Sequence, residues 1–125
     1  MTDATYDRSA TRVLVVEDEL FIAMEIGDAL FEAGFEVLGP ASSVDNALAL
    51  LRTTRPDAAV LDVNLGREKV TPVALYLKSQ GVPFVLATAG SPGELAQDPV
   101  FCNVDNLGKP TSMTELVEKI RSLAA

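Results

Sequence analysis

The sequence has no histidine and a single cysteine, Cys102. A lone thiol has no intramolecular disulfide partner, and without histidine the usual Cys/His zinc sites are excluded. That usage suits a reducing compartment, and Cys102 reads as a small buried residue rather than a reactive thiol. Positive charge is also scarce: ten Lys and Arg stand against eighteen Asp and Glu, for a net charge of -8. With no basic stripe to neutralise a phosphate backbone, direct nucleic-acid binding is not expected. No apolar run approaches the length that spans a bilayer, and the opening "MTDATYDRSA" is too polar for a signal peptide. These absences predict a soluble cytoplasmic protein with no membrane partner, whose residues 1–10 form a disordered leader. No repeat or linker divides the remainder, and 125 residues at 48% apolar composition suffice for one core. A single domain is therefore expected over residues 11–125.

What is present is an alternation of short apolar runs and helical periodicities. "RVLVV" (Arg12 to Val16) is β-branched and apolar without alternation, the pattern of a strand buried on both faces. Ile22, Ile26, Ala29, Leu30 and Ala33 then follow helical spacing up to a stop at Gly34. A short strand is expected around residues 36 to 38, and Ser43 can cap a helix with Ala47, Leu48 and Leu51 on its buried face. "AAVLD" is a third strand that ends on Asp62. After the loop "VNLGREKV", a helix enters through Pro72, runs to Gln80 and stops at Gly81. "VPFVLAT" is a fourth strand ending at Thr88. "AGSPGELAQDPV" allows only a short, irregular fourth helix, interrupted by Pro92, Gly93 and Pro99. "NVDNLGKP" supplies a brief fifth strand, and "TSMTELVEKIRSL" a final helix with a Ser112–Glu115 capping box and Leu116, Val117, Ile120 and Leu123 on one face. Parallel neighbours require crossovers, and here the crossovers are helical. The fold class predicted is α/β, a doubly wound five-stranded parallel sheet with helices on both faces.

In such sheets ligands bind beyond the carboxyl ends of the strands. There the chain places Glu17 and Asp18 after the first strand, Asp62 after the third, Thr88 after the fourth and Lys109 after the fifth. Three carboxylates brought together repel one another, so the cluster implies a divalent cation, and hard oxygen ligands in a partly open site suit Mg²⁺. A lysine can hold a phosphoryl oxygen as a point charge, and a threonine hydroxyl can donate to another. The set suits phosphoryl transfer. Each residue alone has a plainer reading: a turn or cap for Asp62, helix-dipole partners for Glu17 and Asp18, a backbone-bonding hydroxyl for Thr88, a solvated charge for Lys109. Their joint placement on successive strand ends argues otherwise.

"VLVVEDE", "AVLDVNL", "VLAT" and "LGKP", in this order and at these intervals, resemble the receiver domain of two-component response regulators, over Arg12 to Leu123. The resemblance implies the CheY-like, flavodoxin-like strand order 2-1-3-4-5. It implies that Asp62 is the phosphoacceptor, that Thr88 and Lys109 contact the phosphoryl group, and that Glu17, Asp18, Asp62 and the backbone carbonyl of Asn64 hold Mg²⁺. It also implies a cis Lys109–Pro110 bond. The donor would be a sensor histidine kinase or a histidine phosphotransfer protein. Because the domain takes up the whole sequence, output is expected through protein contact, on the face from the fourth to the fifth helix, or as a phosphate sink. Catalysis is expected only of the chain's own phosphorylation and dephosphorylation, so it is not an enzyme in the ordinary sense.

Two departures stand out. Many receivers carry Tyr or Phe where this chain has Asn106, so the usual aromatic switch is missing. The signal is then expected to pass through Thr88 and the segment Gly90 to Pro99. "PFVLATAG" partly resembles the "PFxFATGY" element of alphaproteobacterial single-domain receivers served by HWE-group kinases, with Ala89 and Gly90 in place of Gly and Tyr. A rival class is a phosphohydrolase with an aspartyl-phosphate intermediate. The haloacid dehalogenase type needs an acid–base Asp two residues after the nucleophile, and here that residue is Asn64. A flavodoxin-like cofactor carrier would need a hydroxyl- and Gly-rich phosphate loop where "EDE" stands.

Overall fold

A computed structural model describes residues 11–125; the expected leader over residues 1–10 lies outside the described residues. In chain order the elements are Arg12–Val16 (β1), Leu20–Glu32 (α1), Glu36–Ala41 (β2), Val44–Thr53 (α2), Ala58–Leu61 (β3), Asn64–Leu65 (β4), Glu68–Lys69 (β5), Thr71–Ser79 (α3), Phe84–Leu86 (β6), Pro92–Leu95 (α4), a 3-10 turn at Pro99–Phe101, and Met113–Ala124 (α5). Strands β2, β1, β3 and β6 form a parallel sheet in that order. The expected fifth strand is reduced to a single parallel bridge between Leu86 and Asn106.

Alternation along the strands divides the core between the sheet's two faces. Leu14, Val16, Ala59, Leu61 and Leu86 pack against Ala47 and Leu51 of α2 and Val73 and Leu77 of α3. Val13, Val15, Ala58, Val60 and Val85 pack against Ile26 and Leu30 of α1 and Leu116 and Ile120 of α5. Both faces of β1 and β3 are covered, which is why those strands read as continuous apolar runs.

The caps form where the sequence places them, although the Ser112–Glu115 pair makes only the first of a capping box's two bonds. Ser43 Oγ accepts the Asn46 N–H at 3.0 Å, and Ser112 Oγ accepts the Glu115 N–H at 3.2 Å. In the fourth helix the prolines open structure instead of interrupting it. Pro92 occupies the first turn behind a Ser91–Glu94 capping box, and Pro99 starts the 3-10 turn, positions where a missing N–H costs nothing. The loop "VNLGREKV" contains a small antiparallel hairpin, β4 with β5, turning at Gly66. Strand β2 runs past Leu38 to Ala41 through a register shift opposite β1. Gly39 is required there: its φ is +92°, and a Cβ would lie 2.6 Å from the Ala41 nitrogen. Cys102, expected to be buried, is exposed, because the 3-10 turn buries Val100 and Phe101 and ends just before it.

Candidate functional site

Three strand ends are stitched together at one level. The Glu17 N–H donates to Ala41 O at the end of β2, the Asp62 N–H to Val16 O at the end of β1, and the Ala87 N–H to Leu61 O at the end of β3, each at 2.9 Å. Extension of the sheet by these bonds carries Glu17, Asp62 and Thr88 to its carboxyl edge, where they are the buried polar residues at 2%, 5% and 2% exposure. Buried polar groups need partners, and buried charges need counter-charges.

Lys109 supplies much of that need. Its ammonium donates to Asp62 Oδ2 at 2.8 Å, lies 3.0 Å from Glu17 Oε1, and reaches Glu19 Oε1 at 3.1 Å. Asp62 Oδ1 accepts the N–H of Asn64 at 3.4 Å, so the β4–β5 hairpin borders this carboxylate. The Asn64 side chain is itself held by Lys69, at 2.8 Å. Burial works against the Lys109 ammonium, but its bonds to Asp62, Glu17 and Glu19 outweigh that and hold its pKa above the ordinary lysine value. Lys109–Pro110 is a cis bond.

Glu17 is pushed up to about 7, chiefly because burial penalises its charged form, with Asp62 adding to the rise and the Glu19 N–H and Lys109 opposing it. One lysine does not satisfy this cluster. Glu17 Oε1 is buried without a hydrogen-bond partner despite its nearness to the ammonium. Ligand atoms of Glu17, Asp18 and Asp62 all lie within 4.8 Å of one another, and Asp18 is exposed on the open side. An orphaned carboxylate oxygen beside two further hard oxygen donors fits Mg²⁺.

That frustration gives a signed pH dependence for the metal-free protein. A carboxyl whose folded pKa is raised contributes stability below its unfolded value, and that contribution is lost as pH rises through the folded value. In chelator, stability should therefore fall between pH 4.5 and about 7. Glu17→Gln should flatten the fall and gain roughly 3 kcal/mol at neutral pH. Added Mg²⁺ should restore wild-type stability there and do less for the variant. Thermal unfolding across this range, with and without chelator, measures both.

A family profile for the response regulator receiver domain matches residues 13–121. The chain belongs to the receiver-domain family. It is 32% identical to the transcriptional regulatory protein PdtaR of Mycobacterium tuberculosis, across 96% of this chain and 61% of that protein. With the transcriptional regulatory protein PrrA of the same organism it shares 35% identity over 92% of its length. The chain spans about half of PrrA and less than two thirds of PdtaR. Among solved structures, the BeF3-activated conformation of SdrG from Pseudomonas melonis Fr1 matches with 40% identity and a TM-score of 0.74, covering 94% of this chain and 99% of that one. Among the described residues, no helix of this receiver is long and apolar enough to cross a membrane.

The structure brings Glu17, Asp18, Asp62 and Lys109 into one cluster, with Asn64 bonded to Asp62 and Thr88 buried on the neighbouring strand end. Two participants carry no site role in the sequence reading. Glu19 is a further carboxylate on Lys109, and the "EDE" run was the only hint of it. Asn106, noted only for the aromatic it replaces, bonds the backbone of Thr88.

Proposed function

We propose that this receiver accepts a phosphoryl group on Asp62 from a phosphohistidine of a sensor histidine kinase or histidine phosphotransfer protein. It then signals by protein contact or acts as a phosphate sink. The observation that carries the reading is the buried Asp62 carboxylate held 2.8 Å from the Lys109 ammonium inside an acidic cluster. An Asp62 oxygen attacks phosphorus in line; a P–O bond forms as the P–N bond breaks, and the electron pair leaves on the imidazole nitrogen, which takes a proton from solvent. Lys109 follows the phosphoryl oxygens as charge moves onto the acceptor, and the Thr88 hydroxyl donates to another oxygen. Glu17, Asp18, Asp62 and the Asn64 backbone carbonyl would hold Mg²⁺, which would supply neutralisation of phosphoryl charge. Turnover is confined to the chain's own phosphate, in the cytoplasm. The reported state passes through Thr88 to the segment from Gly90 to Pro99 and on to the face between the fourth and fifth helices, α4 and α5.

The donor must reach a recessed carboxylate, and the neighbouring helix presents an apolar face to it. Leu20, Phe21, Met24 and Phe31 of α1 share one side and are 66%, 83%, 51% and 74% exposed. Leu20 directly follows the acidic Asp18 and Glu19, so this face begins at the rim of the site. A helical domain carrying the phosphohistidine is the occupant proposed, since helix packing needs such an apolar stripe. Its kinase is proposed to belong to the HWE group, supported by "PFVLATAG" and by the likeness to SdrG.

Incubation with each phosphorylated sensor kinase of the organism tests this reading. Rapid transfer from one of them is expected, and Phe21→Ala should slow it about tenfold, the cost of losing one anchoring side chain. Phosphorylation from acetyl phosphate should be unchanged in Phe21→Ala, because that donor needs no docking face. Steady turnover of small phosphate esters would instead favour an aspartyl-phosphate hydrolase.

A further inference from the structure

The end of β6 raises a question of backbone pairing. The parallel bridge at Leu86 and Asn106 is made by the Leu86 N–H on Asp105 O at 2.9 Å and the Leu107 N–H on Leu86 O at 2.8 Å. Carried two residues further, the same register would pair the Thr88 N–H with the Leu107 carbonyl and the Lys109 N–H with the Thr88 carbonyl. The side chain of Asn106 serves Thr88 instead. Its Oδ1 accepts the Thr88 N–H at 3.1 Å, and its Nδ2 donates to the Thr88 carbonyl at 3.2 Å. Oδ1 also accepts the Gly108 N–H at 2.9 Å.

A carboxamide is suited to this position because it donates from one atom and accepts at the other, as a peptide group does. Two N–H groups face one end and a carbonyl faces the other, which fixes its orientation. By serving both backbone groups of Thr88, it leaves Lys109 out of the ladder. The chain can then turn at Gly108, with φ +82°, and send the Lys109 ammonium to Asp62. Thr88 and the turn that carries Lys109 are thus fastened to one side chain.

We infer that Asn106 is a positioning residue for phosphoryl acceptance, setting Thr88 and Lys109 in a fixed mutual register. The inference rests on Asp62 being the acceptor. Asn106→Ala removes all three bonds. Asn106→Asp keeps both acceptances but loses the donation and sets a carboxylate against the Thr88 carbonyl. Misplaced contacts lose transition-state stabilisation steeply.

With acetyl phosphate and saturating Mg²⁺, Asn106→Ala should be phosphorylated about tenfold more slowly, and Asn106→Asp should also be slow. Affinity for Mg²⁺ alone should not change, because none of the carboxylates bonds Asn106. In a Thr88→Ala background the further loss from Asn106→Ala should shrink, the sign of two residues acting through one contact. Amide exchange at Thr88 and Gly108 should quicken in Asn106→Ala while that of core α1 stays slow. Wild-type phosphorylation rates in Asn106→Ala, or losses that multiply fully with Thr88→Ala, would overturn the inference. If the wild-type protein itself takes up no phosphate, the acceptor reading fails, and exchange at Thr88 and Gly108 still decides whether the clamp holds.

Discussion

Asp62→Asn is expected to take up no phosphate from acetyl phosphate or from any kinase, with intact-protein mass as the readout. A carboxamide oxygen of the same shape lacks the charge and nucleophilicity of the carboxylate, so no rate should be measurable over the wild-type time course. The loss should come without unfolding. Asp62 and Glu17 repel each other across the site, and the substitution removes that repulsion while leaving Lys109 its bonds to Glu17 and Glu19. In chelator at neutral pH the variant should melt at or above the wild-type temperature. A mass gain at the wild-type rate would place the acceptor elsewhere.

Lys109→Ala should produce the second-largest effect, and on two quantities at once. Transfer should slow by roughly 10²- to 10³-fold, the usual cost of removing one group aimed at developing charge. Stability in chelator should drop by about 3 kcal/mol at neutral pH, because Glu17 and Asp62 lose their buried counter-charge. The stability deficit should narrow on acidification, as Glu17 protonates on passing below about 7, and with Mg²⁺. Lys109→Arg separates the two quantities. A guanidinium keeps the charge but brings a planar fork in place of a compact ammonium, so stability should recover more than rate. Equal recovery of both would argue that Lys109 acts only as a counter-ion.

Much of this was legible because burial on both faces writes β1 and β3 as uninterrupted apolar runs, and such strands point at their own carboxyl ends. Glu17, Asp62 and Thr88 could be placed there from the runs alone. The fifth strand read less clearly. "NVDNLGKP" has turn residues at both ends, and its pairing at the last rung is made by a side chain, which no pattern of apolar residues signals. The β4–β5 hairpin was hidden for a similar reason: two residues per strand are too few for alternation to show. The exposed face of α1 went unread because Phe21, Met24 and Phe31 spoil the expected polar side. The departure from amphipathicity was itself the information, since a helix apolar beyond its buried stripe has surface left for a partner.

The most direct test is to locate the phosphate. Protein treated with acetyl phosphate in Mg²⁺ should carry a single acyl phosphate that borohydride reduction and peptide mapping place on Asp62, and none should form in chelator. A label on another residue, or equal labelling with the metal removed, would contradict an acceptor carboxylate held in a magnesium site by Glu17, Asp18 and Lys109.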